Sequence, residues 1–71
     1  MLDNNLKQPK EFYIKQINLL CEPLKNQFNK TQKKSYAREL TESFDDYLFK
    51  IKNEVLTTIE IYRICKKALG I

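Results

Sequence analysis

Five cations and four carboxylates are crowded into the middle of this chain. From Pro23 to Arg38 the charged side chains are Lys25, Lys30, Lys33, Lys34 and Arg38, with no acid among them. From Glu39 to Asp46 they are Glu39, Glu42, Asp45 and Asp46, with no base. The basic block has the chemistry to meet phosphate, because it lies near an expected helix start, where backbone N–H groups also favour anions. Tyr36, within it, could stack on a base. The plainer reading is a solvated lysine-rich turn. Only Arg38 and Arg63 could contact guanine in bidentate fashion, and no glycine-containing helix-turn-helix turn is visible.

The acidic group could in principle hold a divalent cation. It lacks the glycine and the alternating oxygen ligands of a calcium loop. It reads instead as the solvent face of a helix, able to present charge to a basic partner and so fix orientation and association rate. Cys21 and Cys65 are far apart and in no CxxC spacing. The chain has no histidine, so zinc sites that need one are excluded. The two cysteines read as buried free thiols rather than a disulfide, since cysteine packs as a small apolar residue. No Ser/His or Cys/His nucleophile pair can be built, and no glycine-rich phosphate loop is present. The expectation is no catalysis, no cofactor and no metal.

Several helices must position these groups. Pro9 stands where a first helical residue belongs, because its missing N–H costs nothing there. Tyr13, Ile17, Leu20, Leu24 and Phe28 then recur at helical spacing. Pro23 interrupts the stripe, and both a kink and a break are open; the break is the favoured reading. The polar stretch from Asn26 to Lys34 holds the main turn, with Thr31 as the expected cap of the next helix. Tyr36, Ala37, Leu40, Phe44, Tyr47, Leu48, Ile51 and Val55 then fall on one face of a long amphipathic helix. Ser43 and Asp46 resemble a capping box, but no breaker accompanies them, so that helix is read as continuous. Thr57 and Glu60 form a stronger capping-box signal before a final helix. Lys66 and Lys67 suit its last turn, and Gly70, the chain's only glycine, suits its stop. Residues 55–64 are also rich in β-branched types. A strand there is the alternative, disfavoured because nothing else in the chain would pair with it.

The fold expected is all-α, a three- or four-helix bundle with helices at 9–21, 23–28, 32–56 and 58–69. Residues 1–8 form a flexible lead, and residues 9–71 form one domain with the long third segment as its spine. The expected core is Tyr13, Ile17, Leu20, Leu24, Phe28, Leu40, Phe44, Leu48, Ile51, Val55, Ile59 and Tyr62. The final helix carries a second apolar face. Leu56, Ile61, Ile64, Ala68 and Ile71 are candidates for a dimer or partner interface. The competing reading is that this helix is central and buried on both sides.

A chain of 71 residues is marginal as a lone core, so a homodimer is expected. The net charge of +4 suits either solubility or nucleic-acid contact. No signal peptide opens the chain, and no apolar run is long enough to span a bilayer; a cytoplasmic protein without membrane contact is expected. The abundance of lysine, asparagine and isoleucine suggests an AT-rich coding genome, as in phages and mobile elements. The function expected is a non-catalytic protein-binding module acting stoichiometrically on a larger protein, as inhibitor, adaptor or assembly factor. The alternative is a small dimeric nucleic-acid-binding regulator using segment 25–38.

Overall fold

The computed structural model of the chain describes residues 8–71. The expected flexible lead therefore lies outside the described residues, apart from Gln8. Three α-helices follow: α1 (Lys10–Cys21), α2 (Lys30–Lys50) and α3 (Thr58–Leu69). A short 3-10 turn, Glu22–Lys25, prolongs α1. No strand occurs among the described residues, so the protein is all-α and the strand alternative at 55–64 falls.

Local chemistry sets each boundary. Pro9 is extended (φ −69°, ψ 164°) and sits just before α1, where its carbonyl accepts from Phe12 N–H at 3.0 Å. At Pro23 the chain keeps helical angles but tightens into the 3-10 turn, because proline cannot donate the next α-type bond. The second helix expected at 23–28 is reduced to this one turn. α2 starts at Asn29, not Thr31. The Asn29 side chain accepts from Gln32 N–H at 2.8 Å, and the Gln32 side chain accepts from Asn29 N–H at 2.9 Å. This reciprocal box satisfies two otherwise unpaired donors, which Thr31, two residues further in, does not. Ser43 and Asp46 interrupt nothing.

The larger difference is the end of α2, which stops at Lys50 and not near residue 56. Lys52 N–H returns to the Phe49 carbonyl, and Asn53 N–H to the Leu48 carbonyl at 2.9 Å. That is a Schellman stop, with Lys52 at φ 55° in the left-handed position glycine usually fills. Asn53 is buried beyond it. Its amide donates to the Gln8 carbonyl at 3.0 Å and to the Tyr13 hydroxyl at 3.2 Å, tying the loop to α1. The same stop closes α3 in its ordinary form. Gly70 has φ 80°, and Ile71 N–H reaches the Lys66 carbonyl.

Both other helices pack on α3, while backbone contact between α1 and α2 is slight. α3 is thus the shared element, and the long helix is not the spine. α1 runs parallel to α3: Lys10 pairs with Glu60 at their starts (3.1 Å), and the Lys25 side chain lies against Gly70 at their ends. α2 runs antiparallel to α3. Asp45 near its end accepts from the Thr58 hydroxyl at 2.8 Å, and Thr41 donates weakly to the Cys65 sulfur at 3.9 Å.

The buried core is Tyr13, Ile17, Cys21, Ala37, Leu48, Leu56, Ile61, Cys65 and Leu69. Leu24, Leu40, Phe44, Ile51, Val55 and Tyr62 pack around it, half-buried, as does Tyr36. Two expected core residues are on the surface: Leu20 is 46% exposed and Ile59 is 65% exposed. Cys21, one turn beyond Ile17, takes the place assigned to Leu20. On α3, Ile61 and Cys65 take the place assigned to Ile59. Thr41 and Asn53 are the buried polar residues. Thr41 donates to its own helix at the Ala37 carbonyl (2.6 Å), so neither costs an unmet hydrogen bond.

Candidate binding surfaces

The antiparallel packing of α2 and α3 brings the start of one beside the end of the other. Lys30, Lys33 and Lys34 come from the first turns of α2, and Lys66 comes from the last turns of α3. With Tyr62, Gly70 and Ile71 they line an open cleft of about 520 Å³. No Asp or Glu side chain lines it. The Lys66 ammonium is held 5.0 Å from the Tyr62 ring centroid, a cation–π contact. The ion pairs among the described residues are Lys10–Glu60 and Lys50–Asp46, so none of the four lysines is neutralised by a side chain.

Of the five cations expected to act together, three do meet here. Lys25 lies around the corner, in a groove with Glu22, Ile14, Asn18, Ile64, Lys67 and Ala68. Arg38, a turn along α2, is exposed and does not line the cleft. Lys66 and Tyr62 were missed as partners of the basic block. Their sequence signal is faint, because their proximity depends on how two helices pair and not on spacing along either.

The acidic residues divide. Glu42, Asp45 and Asp46 line a shallow hollow with Glu54 and Phe49. Asp46 pairs with Lys50 at 3.0 Å, and Asp45 is engaged by Thr58. Glu39 lies apart, beside Phe28 and Tyr36. No group of three or more Cys, Asp or Glu among the described residues is arranged to hold a metal ion.

The candidate interface on α3 is drawn inward. Leu56 and Ile61 are buried in the chain's own core, so they cannot also face a partner. Ile64 and Ala68 are half-buried against α1 in the groove beside Ile14, and Ile71 is half-buried at the cleft. Large apolar surface is exposed elsewhere. On α1, Phe12 is 41%, Leu19 55% and Leu20 46% exposed. Their spacing of seven and eight residues puts them on one face of the helix, beside the buried stripe of Tyr13, Ile17 and Cys21. Tyr47, Phe49 and Ile59 are exposed singly on other elements.

The thiols meet where α1 packs on α3. Cys21 and Cys65 are both free, buried and within hydrogen-bonding reach. Burial, reinforced by Cys65, pushes the Cys21 thiol up to about 12. Burial likewise raises Cys65, and raises the nearby Tyr36 hydroxyl. A thiol held protonated is a poor nucleophile, and both cysteines are fully buried parts of the core packing. Glu60 moves the other way. The Thr57 N–H and the Lys10 ammonium stabilise its carboxylate and hold it below the usual range.

No helix among the described residues is long and apolar enough to cross a membrane. Set against protein-family models, curated proteins and solved structures, the chain matches none of them.

Proposed function

We propose that the chain is a small non-catalytic binding module that acts stoichiometrically by occupying a surface of a larger protein, as an inhibitor, adaptor or assembly factor. The outer face of α1 supports this reading. Phe12, Leu19 and Leu20 stand in solvent on a helix whose other apolar side is already buried. Exposed apolar residues gathered on one helix face favour an interaction site over residues scattered singly, although Gln16 lies between Phe12 and the Leu19–Leu20 pair. The anchor is therefore placed on α1, in place of the α3 face suggested by pattern alone. Charged residues flank it, Glu11 and Lys15 among them, as at the rim of an ordinary interface. The expected homodimer would be another way of covering the same face.

The test is capture from native lysate at high salt, comparing the wild-type chain with the double variant Leu19→Asp, Leu20→Asp. A stoichiometric protein partner retained by the wild type and lost by the variant is expected, with unfolding midpoints unchanged. Equal capture by both would sink the reading. Sedimentation equilibrium separates self-pairing, which would give a wild-type dimer that the double variant turns into a monomer.

A further inference from the structure

We infer that the cleft between the first turns of α2 and the last turns of α3 binds the phosphate backbone of a nucleic acid, without reading its sequence. Four lysines converge there from two elements, around a concave space lined by no Asp or Glu side chain. Lysines at a helix start stand against the helix dipole, and the first turn of α2 contains no acid to offset them. The arrangement thus works against folding, and a bound polyanion would relieve it.

Arginine's planar fork serves carboxylate and phosphate alike, whereas lysine meets either as a point charge, so the extent of the basic surface and not the residue type favours a chain of phosphates. Arg38 is outside the cleft and no arginine lines it. Lys66 lies 5.0 Å over the Tyr62 ring and comes to the cleft from α3, while the other three lysines come from α2. Lys25 and Lys67 lie at the same end of the bundle, Lys25 against Gly70, and with Glu22 as the one acid in their groove they leave the surface net positive beyond what one compact anion would use. A strand presenting successive phosphates matches that extent. This inference is independent of the apolar face of α1.

Fluorescence anisotropy of the full chain with a labelled oligothymidine 20-mer and a random 20-base-pair duplex tests it. Four contacts predict that affinity falls about 50-fold for the single strand, or about 150-fold for the duplex, between 50 and 200 mM salt. Lys30→Gln, Lys34→Gln and Lys66→Gln should each weaken binding and lower the salt slope by about one. Lys52→Gln removes the same charge beyond the far end of α2, away from the cleft, and should change little. Circular dichroism melts confirm that each variant is folded. The inference is overturned if neither probe binds at 50 mM salt, or if Lys52→Gln weakens binding as much as Lys66→Gln. It is also overturned if an oligoglutamate peptide binds more tightly than either nucleic acid, which would assign the cleft to an acidic protein. Salt-reversible self-association abolished by Glu42→Lys would assign it to the acidic flank of a second copy, and would overturn it equally.

Discussion

Lys52 occupies a backbone position that costs an ordinary L-residue about 1–2 kcal/mol, with φ at 55°. It persists because its neighbours leave it little choice. Asn53 is fastened to Gln8 and Tyr13, and α2 must turn sharply to deliver it there. Lys52→Gly should raise stability by about 0.5–1 kcal/mol, read as a higher urea midpoint at unchanged slope. An unchanged or lower midpoint would mean that the position is not strained. The same residue explains why the end of α2 could not be read in advance. A glycine at 52 would have announced a stop; a lysine continues the helical pattern through Ile51 and Val55. The signal that ends the helix is tertiary, carried by a buried Asn53 side chain whose partners lie 40 and 45 residues away.

Among the elements, those with purely local signals were legible. Thr57, Glu60 and Gly70 marked both ends of α3, and Pro9 marked the start of α1 to within one residue, as its extended cap and not its first helical residue. Thr57→Ala should cost about 1 kcal/mol, because the Glu60 N–H loses the hydroxyl it donates to at 3.2 Å. A thermal melt unaffected by that change would show that the box contributes nothing. The start of α2 was misplaced although its signal was present. Asn29 and Gln32 have capping-box spacing, but Thr31 in the same polar run is also a good cap, and only geometry chooses between them. The apolar stripe of α1 was misassigned by one position in the helical turn. Leu20 lies next to Cys21 in sequence, and hydrophobicity alone favours leucine for the core. The structure buries Cys21 beside Cys65 at the α1–α3 contact and turns Leu20 outward. The candidate cleft was half-legible for a related reason. Its α2 lysines form a visible run, whereas Lys66 joins them only through the antiparallel pairing of α2 and α3.

At the scale of the whole molecule, the three helices form a body 40 by 17 by 14 Å, with lysines gathered where α2 begins and α3 ends. Most of the acidic group lies further along α2, toward the loop that carries Glu54. The thiol pair at the α1–α3 contact links stability to alkaline pH. Cys21 keeps its proton in the folded state up to about 12, while an unfolded thiol loses it near 9.0. Between these values the folded state holds more protons, so stability is complete below pH 9 and falls as pH rises. Urea midpoints measured from pH 8 to 11 should decline, and Cys21→Ala should flatten that decline while lowering stability at pH 7. An equal decline in the variant would assign the effect to other groups.

The central position of α3 also sets the order in which this protein can be made. Synthesis proceeds from the amino end, so α1 and α2 emerge before the helix on which both pack. Until Thr58–Leu69 clears the ribosome, Tyr13, Ile17 and Leu48 lack the surface that buries them, and α1 and α2 offer each other little in its place. A nascent chain that pauses before α3 is exposed to proteases and to aggregation. The twelve residues of that helix supply the surface on which both earlier helices pack.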